Sequence, residues 1–210
     1  MTWFSRSHQE PTETRLGPAR AAVRRAAKPD RAPAAPSGPI HAALIEPLDA
    51  GVDHARGPTD EHVILEYGDY ECPYSRHAYR LVEAIEAELS IRFAFRHFPL
   101  VEIHPHALAA SLAAEAAAAQ GRFWDMHDIL FEHQRALRER DLRHYASELG
   151  LDLERFERDR SSDRAWQRVC RDVRSGTLSG AVRATPTLFI DGTHWTGGLD
   201  AGSLLEALGV

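Results

Sequence analysis

The sequence predicts an α/β domain, a small mixed sheet with helices packed on it, behind an N-terminal tail. Three observations lead there. Residues 62–96 read as strand, helix, strand. A long helical stretch covers about 104–178. A strand, an Asp-Gly turn, a returning strand and a short helix then close the chain.

Each element has its own signal. His62-Val63-Ile64-Leu65-Glu66-Tyr67 is a short, mainly apolar run stopped by Gly68-Asp69, which suits a buried strand. Over 73–89, Ala78, Leu81, Val82, Ile85 and Leu89 recur at spacings of three and four, the stripe of an amphipathic helix. Residues 91–96 alternate apolar and basic side chains, as a second strand does. A strand–crossover–strand unit of this kind predicts a parallel, right-handed pair. Residues 107–119 are rich in alanine and leucine. Phe123, Met126, Leu130 and Leu137 form one further stripe, and Leu142, Tyr145 and Leu149 another. Trp166, Val169, Cys170 and Val173 form the last, with breaks at Gly121, Gly150 and Ser161-Ser162. Residues 187–190 are a strand, and Asp191-Gly192 is a hairpin turn after which 193–196 pairs back. Asp200 is placed to cap a closing helix over 201–208. There is no internal repeat.

Eight of the twelve prolines fall in the first 58 residues. Such a segment, poor in aromatics, cannot bury enough apolar surface to offset its ordering entropy. Residues 1–56 are therefore expected to be a mostly disordered tail, with a short helix at 41–45, and 57–210 the folded domain. Residues 15–31 hold six basic side chains against one acid. That could make an arm for acidic lipid or nucleic acid, but its apolar residues are mostly alanines, and a solvated tail is the preferred reading. The first residues carry no apolar signal core, so a cytoplasmic location is expected, with an extracytoplasmic one as the alternative. The formal net charge of −6 does not suit a globally basic nucleic-acid binder. No run of ~18 apolar residues occurs, so no transmembrane segment is expected.

Two cysteines, Cys72 and Cys170, exclude a disulfide scaffold and a four-cysteine zinc site. One disulfide, one working thiol with a bystander, or two buried fillers remain. Cys72-Pro73-Tyr74-Ser75 lies between the first strand and the first helix. A helix N-terminus stabilises negative charge, so a thiol there is expected to have a depressed pKa and to be a nucleophile. Pro73 fits the first helical turn. Ser75 is expected to donate a hydrogen bond to the Cys72 sulfur. Cys170 lies in phase with Trp166 and Val173 and reads as a core filler. His97, His104, His106, His127 and His133 are grouped, but no His-Glu-x-x-His motif occurs. They are read as solvated or capping residues, and no metal site is expected. Ala184-Thr185-Pro186-Thr187 opens the third strand, with Pro186 either marking the strand start or sitting in a cis turn beside a site.

Taken together, these motifs resemble the thioredoxin superfamily, and from about residue 57 its DsbA-like branch. The matching segments run from Glu66 to Tyr74, Phe95 to Leu100, His104 to Ala107, Phe123 to His127 and Ala184 to Gly192. They are similar as well to thioredoxin-like domains attached to sodium/proton antiporters. The resemblance implies a thioredoxin fold with a helical domain inserted before the third core strand. It implies that Cys72 is the attacking thiol, with Pro73 and Tyr74 in the active-site loop. It implies that Thr185 and a cis Pro186 line the substrate groove, and that Glu66 is a buried acid assisting proton transfer. A solvated carboxylate remains the other reading of Glu66.

One departure matters. Ser75 stands where the family usually has its resolving cysteine, so an intramolecular disulfide cannot form there. The first expectation is a thiol–disulfide oxidoreductase with one nucleophilic cysteine. Its substrates would be protein or peptide disulfides, with glutathione or another small thiol as co-substrate, no bound cofactor, and isomerase-like turnover compatible. A redox-inactive binding or regulatory domain is the alternative. A kappa-type glutathione transferase ranks lower, because those enzymes carry serine at the attacking position. The oligomeric state is open.

Overall fold

The computed structural model describes residues 46–209. The expected 41–45 helix and the basic arm lie outside them. The chain runs β1 (His54–Arg56), β2 (Val63–Gly68), α1 (Pro73–Glu88) and β3 (Arg92–His97). Five helices follow: α2 (Ala107–Ala118), α3 (Phe123–Glu132), α4 (Glu139–Glu148), α5 (Leu153–Arg160) and α6 (Asp163–Ser179). The chain then returns as β4 (Thr187–Ile190), β5 (Thr193–His194) and α7 (Ala201–Ala207).

The strands form one sheet in the order β1-β3-β2-β4-β5. β2 and β3 are parallel, as the crossover requires, and the other pairs are antiparallel. Side-chain alternation sends Ile64, Phe93 and Phe95 into one core, against Tyr79, Val82 and Ile85 of α1. Leu65, Tyr67 and Ala94 enter a second core on the other face, with Val169 and Val173 of α6. Each buried Ile, Leu, Val or Phe among them contributes about 1.5–3 kcal/mol. Helix α2 is almost wholly buried, which its alanine-rich sequence permits on every side. At the hairpin, Asp191 and Gly192 have φ of 49° and 78°, the positive values that an Asp-Gly turn accepts. Asp200 caps α7 by accepting from the Ser203 N–H. No helix of the described residues is long and apolar enough to cross a membrane.

Two expectations need correction. The folded domain starts before Gly57, because β1 pairs with β3 through His54, Ala55 and Arg56. Three residues without a β-branched side chain carry no strand signal of their own. What fixes β1 is an ion pair just before it. Arg96, fully buried, donates to both oxygens of Asp53 at 3.0 and 2.7 Å and to the Glu46 and Pro47 carbonyls. Burial pushes the Asp53 carboxyl up, but hydrogen bonds from Arg96 and the Asp49 backbone, with the charges of Arg96 and Arg168, hold it below the usual range. The returning strand is also shorter than expected, covering only Thr193–His194.

Candidate active site

The register brings the motif residues together. β2 pairs with β4 through Glu66 and Leu188 and through Tyr67 and Thr187. The start of β4 therefore lies beside the end of β2, where the chain turns into α1. Cys72 is the N-cap of α1, with extended backbone at φ −77° and ψ 121°, and Pro73 occupies the first turn. The Cys72 thiol donates to the Thr185 carbonyl at 3.1 Å. The Thr185–Pro186 peptide bond is cis. Cys72, Thr185 and Pro186 thus share one site, with Tyr74 on its rim at 68% exposure.

Cys72 itself is 4% exposed, so the thiol is sheltered rather than open. Ser75 does not bond to the sulfur. Its hydroxyl accepts the Asp69 N–H at 3.2 Å, because the first turn of α1 folds back on the preceding loop. The hydroxyl also sits beside Glu66.

Glu66 is fully buried, on the β2 face that meets α1, and neither carboxyl oxygen makes a hydrogen bond among the described residues. Burial pushes its pKa up to about 8, and the nearby Ser75 hydroxyl pulls it partly back. The carboxyl is therefore mostly protonated at neutral pH. Gly68 makes room for it. A Cβ there would come within 2.3 Å of the Phe95 ring and 2.7 Å of Glu66 Oε1.

Several residues that shape the site have no role in it from the sequence alone: Gln134 is not singled out, Asp69 marks only the end of a strand, and His104 reads as solvated or capping. Gln134 of the helical insert donates to the Tyr70 and Cys72 carbonyls at 2.9 and 2.7 Å, tying the insert to the Cys72 loop. The buried Asp69 carboxylate accepts from the Glu71 and Leu100 N–H groups and bonds His104 Nδ1. That bond to Asp69 raises the His104 pKa, against burial, which lowers it. The contacts assign these roles, because the bonds from Gln134 and His104 to the loop join segments more than thirty residues apart.

The other candidates fall elsewhere. Cys170 is half-buried and free, and burial pushes its thiol up to about 11. The histidines are not all solvated or capping. His97 and His127 are fully buried, and His127 packs among Tyr70, Phe95 and Phe131 while its Nδ1 bonds the Tyr70 hydroxyl. Burial holds His127 well below the usual imidazole range, and the charges of Arg56, His97 and His54 add to this.

The thioredoxin family profile matches residues 49–208. A sodium/proton antiporter, NhaA 3, of Salinispora tropica is 42% identical over 167 residues, which are 79% of this chain and 26% of that protein. The chain thus spans about a quarter of the length of such relatives. A thioredoxin-like oxidoreductase from Silicibacter pomeroyi has a similar structure, with a TM-score of 0.66 and 23% identity over 80% of this chain and 94% of its own. The thiol-disulfide exchange protein alpha-DsbA2 from Wolbachia pipientis superposes with a TM-score of 0.64 and 19% identity, over 74% of this chain and 84% of its own. With a family match over most of its length, this sheet order and this helical insert, the chain belongs to the thioredoxin family and carries its DsbA-like fold.

Proposed function

We propose that the protein is a thiol–disulfide oxidoreductase acting through Cys72 alone. The supporting observation is the placement of that thiol, at the N-terminus of α1 and on the carbonyl that precedes Pro186. In the first step the Cys72 thiolate attacks a substrate disulfide. A bond forms between Cys72 and one substrate sulfur, the substrate disulfide breaks, and the other sulfur leaves as a thiolate that takes up a proton. In the second step a small thiol such as glutathione, as thiolate, attacks the substrate sulfur of the mixed disulfide. Cys72 is released and the substrate carries the glutathione. Electrons balance, because one disulfide is consumed and one is formed.

Ser75 keeps the second step intermolecular, since it has no thiol to offer. If the incoming thiol belongs to the substrate itself, the same steps rearrange its disulfides. Glu66, with a pKa of about 8, can hold and return a proton near neutral pH. The edge beside Thr185 and Pro186 would hold the extended substrate backbone, with Tyr74 at its rim. A cytoplasmic location suits a glutathione-resolved cycle, whereas an extracytoplasmic one requires another thiol.

The shelter over Cys72 favours a second reading, a binding domain that keeps the fold without turnover. Ser75→Cys separates the two. Under the first reading the variant gains dithiol reductase activity on insulin, well above the parent. A variant no better than the parent, with Cys72 still titratable by a thiol reagent, supports the binding domain.

A further inference from the structure

We propose that His54, His97 and Glu115 form a binding site for a divalent transition-metal ion such as zinc, built without any residue of the Cys72 site. The three come from separate elements. His54 on β1 sits opposite Phe95 on β3, so His97, two residues further on, is its diagonal neighbour on the same face. Glu115 descends on them from α2. One ligand atom of each residue lies within 4.8 Å of the other two. Glu115 Oε1 is 2.7 Å from His54 Nε2 and 2.9 Å from His97 Nε2.

Two imidazole nitrogens and a carboxylate oxygen are a donor set that zinc accepts. With metal–ligand bonds of ~2.0–2.2 Å, tetrahedral donors stand roughly 3.3 Å apart. The two Glu115 pairs need to spread by about half an ångström, and the two imidazoles already offer ligand atoms within 4.8 Å of each other, so side-chain rotations of ångström size bring all three onto one ion.

The surroundings fit a site with an open position. His97 is fully buried, and its ring is enclosed by Tyr70, Phe95 and Phe123, which hold Nε2 toward Glu115. His54 is fixed by stacking on Phe123, with ring centroids 3.5 Å apart and planes 10° from parallel. His54 and Glu115 both line a cavity of ≈ 640 Å³, to which Arg155, Arg168 and Arg171 also contribute. A water or an anion entering there could complete the coordination, and the arginines favour an anion. The sequence hid this site because His54 falls in the expected tail and nothing in the alanine-rich run 107–119 singles out Glu115.

The test uses the metal-free full chain and zinc alone, in competition with a chromogenic chelator. The expected result is one zinc ion per chain. His54→Gln and Glu115→Gln should each weaken binding at least tenfold, while Cys72→Ser with Cys170→Ser leaves it unchanged. Cobalt binding to the parent chain gives a second readout that needs no variant. Visible d–d bands without the near-ultraviolet thiolate-to-cobalt band support ligation by His54, His97 and Glu115. Absence of zinc binding, binding insensitive to both site variants, or a thiolate band would each overturn the proposal.

Discussion

Replacing Glu66 by Gln removes a buried titrating group and should change how stability depends on pH. In the folded chain the Glu66 pKa is about 8, against an ordinary value of 4.5 that the unfolded chain should recover. Below pH 4.5 both states are protonated and ionisation contributes nothing. As pH rises from 4.5 towards 8, the unfolded chain releases this proton and the folded chain holds it. Stability then falls by ~1.4 kcal/mol per pH unit, and the loss levels off above pH 8. At pH 7 the accumulated cost is about 3 kcal/mol. Glutamine keeps the shape and does not titrate. The stability of Glu66→Gln relative to the parent should therefore rise by about 3 kcal/mol between pH 4 and pH 7. Urea unfolding of both proteins from pH 4 to 9, at fixed ionic strength, measures it. A stability difference that stays flat from pH 4 to pH 8 would mean that Glu66 ionises as readily folded as unfolded, and that its burial raises no barrier to ionisation.

Asp53→Asn leaves the fully buried Arg96 guanidinium without its counter-charge and should destabilise the fold by about 3–5 kcal/mol, read by urea unfolding. Paired replacement of Asp53 and Arg96 by apolar residues should cost less than Asp53→Asn alone. At Cys170, a thiol raised from 9.0 to about 11 carries ~100-fold less thiolate at pH 8 than an ordinary cysteine. Iodoacetamide labelling followed by peptide mass mapping should therefore find Cys170 roughly 100-fold slower in the native chain than in denaturant.

The periodic elements were legible because burial follows period. Val82 and Ile85 of α1 face the core as their spacing requires, whereas Leu81 and Leu89, at the edge of that stripe, are only half-buried. The Asp191-Gly192 turn and the Asp200 cap were legible because few residues accept those backbone conformations or donors. Strand β1 was not, because pairing with β3 and the ion pair between Asp53 and Arg96 hold it in place. The alternation of residues 91–96 marked a strand correctly, yet Arg96 points into the protein, and only its distant partners make that burial tolerable. At the site, the positions of Cys72 and Thr185 followed from motif order, while the shelter over the thiol came from the packing of other segments. Ser75 shows the limit of local reading. Its sequence distance from Cys72 suggested a bond to sulfur, but the turn aims its hydroxyl at Asp69.

Exchange through Cys72 alone, as proposed, is checked with a peptide disulfide followed by glutathione. The full chain is incubated with the peptide, its intact mass is measured, and the adduct is mapped before and after glutathione is added. One peptide per chain is expected, attached at Cys72, released by glutathione with recovery of the free thiol, and absent from Cys72→Ala. A native chain that forms no adduct at Cys72 while the unfolded chain does, or one that carries the peptide at Cys170 instead, would contradict it.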